Sequence, residues 1–88
     1  MDEKIQKVLE EKIHESISKG NEITLLVQSL GHMENPTEFE RGLIVGRLYN
    51  SFYYQSRRIL KRSPTDQEFL ELVKLLKEHE NELENSFS

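Results

Sequence analysis

Glu11-Lys12-Ile13-His14 and His79-Glu80-Asn81-Glu82 each set a carboxylate and an imidazole three residues apart. That spacing places two metal ligands on one face of a helix. A carboxylate-bridged metal needs further inward acids, and between Glu40 and Asp66 the chain has none. His14 falls opposite Ile5 on a helical wheel and is expected to face water. His79 borders an apolar series, where a hydrogen-bonded boundary histidine is the expected role. No metal or other cofactor is therefore expected.

Covalent catalysis finds no better footing. There is no cysteine, which removes disulfides, thiolate metal sites and cysteine nucleophiles. The serines and threonines sit where helix caps and loops explain them, and no glycine-rich phosphate loop or nucleophile elbow occurs. A non-enzymatic protein is expected.

The residues with chemistry left to explain lie in Leu48–Arg62, LYNSFYYQSRRILKR, which holds four aromatic and four basic side chains. The chain as a whole carries a net charge of −4, yet residues 36–62 sum to +4 while 63–88 sum to −5. Arg41, Arg47, Arg57, Arg58, Lys61 and Arg62 are half of all its lysines and arginines. On a helical wheel Val45, Leu48, Tyr49, Phe52, Ile59 and Leu60 share one side, with Tyr53 at its edge. Arg47, Asn50, Tyr54, Arg57, Arg58 and Lys61 share the other. Tyr49, Phe52 and Tyr53 are thus expected in the core. Arg47, Tyr54, Arg57, Arg58 and Lys61 form the candidate partner surface.

Three readings of that basic surface are ordered by preference. In the first it is a solvated face, neutralised by Glu78, Glu80, Glu82 and Glu84 or by a neighbouring subunit. In the second it meets an acidic protein. In the third it grips a nucleic-acid backbone, with Tyr54 stacking on a base. Nucleic acid ranks last because such domains are usually basic, whereas this chain has a pI near 5.4.

The elements that must position these groups are helices. Ile5, Val8, Leu9, Ile13 and Ile17 recur at threes and fours, and Gly20 is expected to end that segment in a left-handed conformation. Asn21 is then expected to cap a second segment carrying Ile23, Leu26, Val27 and Leu30, which Gly31 stops; a strand reading of this stretch lacks a pairing partner. Asn35-Pro36-Thr37-Glu38 opens the third helix and Ser63-Pro64-Thr65-Asp66 the last, each joining a capping side chain to a proline and a first-turn acid. The predicted helices cover about 2–19, 22–30, 36–62 and 64–85 of a single 88-residue unit.

The expected fold is all-α, a small bundle of three or four helices with a long third helix. At 1.5 Å per residue that helix would run about 40 Å, too long for the short second helix to cover. It must bend, with Asn50-Ser51 the expected place, or be covered by a second copy of the chain. Apolar residues are only 35% of the composition, so a thin core completed by oligomerisation is expected. Gly42 and Gly46, four apart in a helix that alanine would favour, point to a close helix crossing. Leu70 and Leu75 lie off the stripe of Phe69, Leu72, Val73, Leu76, Leu83 and Phe87, and Leu25, Leu43 and Ile44 are surplus in the same way. Gly42, Gly46, Leu70 and Leu75 are accordingly the candidate packing residues of an oligomer.

The expected function is a small, non-catalytic, helical protein–protein interaction module, a homodimer or an accessory subunit of a larger complex. The alternative is an accessory factor contacting nucleic-acid backbone through the basic face of the third helix. The acidic start MDEKIQKVLEEK lacks a secretory pattern, and no apolar run reaches membrane-spanning length. A cytoplasmic protein without membrane contact is expected.

Overall fold

A computed structural model describes residues 1–85 and the side chains up to Leu83. The described chain is all-helical. Helix α1 (Glu3–Ser18) is capped by Asp2, whose Oδ1 accepts from the backbone N–H groups of Lys4 at 2.8 Å and Ile5 at 3.2 Å. Its inward face carries Ile5, Leu9, Ile13 and Ser16, one turn or slightly less apart.

Lys19 alone separates α1 from α2 (Gly20–Ser29). Two expectations change here. Gly20 does not adopt a left-handed conformation; it is the buried first residue of α2. Asn21 is not the cap either, since Lys19 holds that position and gives no side-chain hydrogen bond. The Lys19 carbonyl instead accepts from Ile23 N–H at 3.1 Å, so the chain restarts its hydrogen bonding without a loop. Gly31 does take a left-handed conformation, with φ of 101°, and ends the run after α2.

Helix α3 (Pro36–Gln55) begins as its sequence predicts. Asn35 Oδ1 accepts from Glu38 N–H at 3.2 Å, and Pro36 sits where no intrahelical donor is needed. The helix continues into a π-helical turn over Ser56–Leu60, which ends at Lys61 with φ of 58°. The irregularity is therefore at Ser56, not at Asn50-Ser51. Ser56 is fully buried and its hydroxyl donates to the Phe52 carbonyl at 2.8 Å. Such back-bonding competes with the backbone donor for that carbonyl and loosens the turn.

Helix α4 (Asp66–Glu78) opens with a reciprocal cap: Thr65 Oγ1 accepts from Glu68 N–H at 3.2 Å and Glu68 Oε1 accepts from Thr65 N–H at 2.9 Å. The predicted last helix breaks at His79, and α5 (Glu80–Asn85) follows. Phe87 lies outside the described residues.

The core joins Ile5, Leu9 and Ile13 of α1, Ile23 and Val27 of α2, Ile44, Leu48 and Phe52 of α3, Leu72 and Leu75 of α4, and Leu83 of α5. Helix α3 packs on both α1 and α2, and α5 packs on α1. The long axis of 40 Å is twice the short one of 20 Å. The radius of gyration, 13.9 Å, exceeds the roughly 12 Å of a compact chain this long. The core is a thin strip along α3.

That geometry turns α3 away from its predicted face. Its buried arc is Glu40, Ile44, Leu48, Ser51, Phe52 and Gln55, which keeps Leu48 and Phe52 of the predicted side but is centred roughly 80° away from it. Tyr49, expected inside, is 46% exposed, and Ile44, expected as surplus, is fully buried. The reason is that α1 and α2 both lie toward the Ile44–Ser51 side, so small and polar residues there are covered by neighbours.

Candidate functional site

With α3 in this orientation, the basic surface divides into two concavities that share Asn50 and Tyr54. The first is a cleft of about 240 Å³ lined by Lys12 of α1 and by Arg47, Asn50, Ser51, Tyr54 and Gln55 of α3. The second is a groove of about 410 Å³ lined by Asn50, Tyr53, Tyr54, Arg57 and Arg58. Tyr54 is 60% exposed between them. Lys61 lines neither one; it is exposed at the left-handed end of the π turn.

Of the acids expected to neutralise this surface, Glu78 and Glu82 make no ion pair with it among the described residues, and the side chain of Glu84 lies outside them. Among the described residues α5 reaches only Arg41, whose Nη2 lies 2.8 Å from Glu80 Oε1. Arg47 finds its acid on α1, at 3.8 Å from Glu15 Oε1. Arg62 pairs with Glu68 at 2.6 Å across the loop before α4. Arg57 leans over the Tyr53 ring at 5.9 Å from its centre, and Arg58 Nε donates to Gln55 Oε1 at 3.1 Å. Lys12, Arg57, Arg58 and Lys61 make no ion pair among the described residues.

Glu15 is the acid shared by the cations at the α1 end of the cleft. Its carboxyl is held below the usual range, first by the hydrogen bond from Lys19 at 3.2 Å and then by the charges of Lys19, Lys12 and Arg47. Three cations around one carboxylate leave a positive surplus. Lys12 and Ser51 had no signal in the sequence as members of this site. They meet only because α1 crosses α3 at Arg47.

A second open surface lies on the outward side of α3. Phe39, Gly42, Gly46, Tyr49 and Tyr53 repeat at steps of three and four; Phe39 and Tyr49 are each 46% exposed and Tyr53 is half-buried. A Cβ placed on Gly42 or Gly46 would meet nothing within 4 Å. Among the described residues no helix uses the two glycines for a close crossing. Tyr49 and Tyr53 rings lie 5.1 Å apart, so they make one aromatic plate at the end of the seam.

The other packing candidates separate. Leu75 belongs to the core at 6% exposure, whereas Leu70 is open at 59%. Phe69, predicted inside, is 41% exposed because α4 turns Leu72 and Leu75 inward. On α2, Leu25, Leu26 and Leu30 are all more than half exposed, so only Ile23 and Val27 of the predicted stripe are buried. Leu25 and Leu26 line an apolar groove of about 590 Å³ against Leu43 of α3.

Two of the three histidines are brought together. His14 and His79 meet edge to face at 6.2 Å, and His79 Nδ1 lies 3.4 Å from Glu82 Oε2. Among the described residues no group of three histidines or acids is placed to hold a metal ion. None of their helices is long and apolar enough to cross a membrane. No protein-family model, curated protein or solved structure matches the chain.

Proposed function

We propose that this protein is a non-catalytic helical interaction module that pairs with a second copy of itself through the outward seam of α3. The observation that carries the reading is the open glycine face: two helix-interior glycines with free space above them, flanked by exposed aromatics. Each glycine costs about 1 kcal/mol relative to alanine in a helix. A close partner helix compensates that cost where the chain itself does not.

The seam is symmetric in a way that selects the partner's direction. Gly42 and Gly46 are equidistant from Ile44, as are Phe39 and Tyr49. A two-fold axis at that level sets Gly42 against the partner's Gly46 and Phe39 against the partner's Tyr49, the self-complementary contact that a symmetric dimer requires. Antiparallel helices also set the acidic entry of α3, with Glu34 and Glu38, opposite the partner's Tyr54 and Asn50, on the half of the helix that runs on to Arg57 and Arg58. A parallel pair would stack like charges. Leu70 and Phe69 on α4 form a second exposed apolar contact.

Sedimentation velocity across a wide concentration range tests the pairing. The expected result is a concentration-dependent dimer that Tyr49→Glu abolishes and Glu38→Arg weakens. A single monomeric species at every concentration would sink the reading.

A second reading is favoured by Arg57, Arg58 and Lys61, which lack ion pairs among the described residues and stand near the exposed Tyr54. In it the basic face grips a nucleic-acid backbone through Arg47, Tyr54, Arg57, Arg58 and Lys61. Binding to a single strand that weakens steeply with salt supports the second; binding indifferent to salt removes it.

A further inference from the structure

We propose that the cleft between α1 and α3 is a phosphate subsite whose ligand is a nucleotide unit, free or within a single strand, with its base laid on Tyr54. The inference rests on the second reading above and narrows it from a charged face to a built site.

The key group is Ser51. It is only 6% exposed, it lines the cleft, and its Oγ has no hydrogen-bond partner among the described residues. A buried hydroxyl left unpaired is destabilising. The helix offers it an easy local partner in the carbonyl one turn back, the bond that Ser56 does make to Phe52. Ser51 does not make the equivalent bond. The Oγ itself is covered in this structure, so a χ1 rotation that turns it to the cleft is what lets a ligand oxygen complete it.

The walls select the ligand by charge. Lys12 enters from α1 and Arg47 from α3, while Lys19 stands beyond them on the shared Glu15 carboxylate. Two cations, a hydroxyl and the Asn50 amide can donate to one tetrahedral oxyanion from different sides, as phosphate recognition requires. The neighbouring groove then supplies what a phosphate alone does not need. Tyr53 and Tyr54 offer aromatic surface next to Arg57 and Arg58, and base stacking on such rings is tolerant of sequence. Because Asn50 and Tyr54 border both concavities, phosphate and base can be held at once. An acidic peptide would use the cations but not the ring faces. The cleft itself lies to the side of the glycine seam on α3, while Tyr53 of the neighbouring groove belongs to that seam, so base stacking there competes with pairing.

The test is fluorescence anisotropy of a short labelled oligothymidylate at low salt, with thymidine 5′-monophosphate, inorganic phosphate and polyglutamate as competitors. Lys12→Gln and Lys61→Gln remove the same charge, one inside the cleft and one outside it. The expected result is a loss of about tenfold in affinity for Lys12→Gln against about twofold for Lys61→Gln. Ser51→Ala should weaken binding while leaving the thermal midpoint equal or higher, since it deletes an unpaired hydroxyl. The mononucleotide should compete better than inorganic phosphate. A strand that binds much more tightly than the mononucleotide assigns the site to single strands, and equal affinity assigns it to free nucleotide.

Equal losses for the two lysine variants, with Ser51→Ala silent, overturn the subsite while leaving the backbone-binding reading standing. Polyglutamate competing as well as oligothymidylate overturns the nucleotide assignment in favour of an acidic protein. Absence of any binding at low salt removes both the subsite and the second reading.

Discussion

Replacing both seam glycines by alanine should move fold stability and self-association in opposite directions. In the isolated chain Gly42 and Gly46 lie in the interior of α3, are exposed, and have open space where a Cβ would go. Their φ angles are not positive, so alanine adopts the same backbone without strain. Each Gly→Ala change at such a site is worth about 0.8–1 kcal/mol of helix propensity, partly through the unfolded chain. The double variant should therefore gain about 1.5–2 kcal/mol. For a chain of this size, that raises the thermal midpoint by about 6–16 °C, at about 4–8 °C per kcal/mol. The measurement belongs at high dilution, where dimer linkage does not contribute. In the paired state, four added methyl groups stand between two helices that the glycines would let approach closely. A loss of about 1.4 kcal/mol or more, tenfold or more in dissociation constant, is expected by sedimentation equilibrium. A dilute double variant that melts lower than the parent would refute the open-face geometry. One that melts higher but associates as before would refute the role of the glycines in pairing.

Two further outcomes follow from the loop between the π turn and α4. Glu68 is held down to about 2, first by the hydrogen bond from Arg62, then by the backbone bond from Thr65. A lowered carboxyl stabilises the fold above its unfolded value near 4.5 and loses that contribution as pH falls through about 2. The shift implies a ceiling of about 3 kcal/mol, and screening at the half-exposed Arg62 reduces it to about 1–2 kcal/mol. Glu68→Gln should flatten the acid side of a stability–pH profile between pH 4.5 and 2; a profile superimposed on the parent's contradicts the assignment. Lys61 holds a left-handed φ of 58° that disfavours a side chain. Lys61→Gly should raise the unfolding free energy measured in urea by a few tenths to about 1 kcal/mol, and the midpoint with it, the relief of strain less glycine's added chain entropy. A lowered midpoint would mean that the lysine side chain has a stabilising contact of its own.

What the sequence determined unaided was local. The Asn35-Pro36 cap and the stop at Gly31 stand where the residues predict them, as does the helical period of Ile5, Leu9 and Ile13, whereas the last helix is capped by Thr65 and not by Ser63, which leaves Pro64 outside it. Each depends on contacts within about one helical turn, so neighbouring residue types suffice to specify it. The segregation of positive charge onto 36–62 is likewise a property of composition. The tertiary structure decided everything that depends on which helix lies beside which. Leu26 and Leu30 match the helical period as well as Ile23 and Val27 do, yet they stay outside because α2 contributes only a narrow strip to a thin core. Tyr49 and Ile44 exchanged places when α1 and α2 both packed on one flank of α3. Lys12 and Ser51 entered the candidate site by the same packing, thirty-nine residues apart in the chain. A wheel ranks the faces of one helix by polarity. Which face is buried depends on how much neighbouring surface is present to cover it, and in a thin bundle that surface runs out before the apolar residues do.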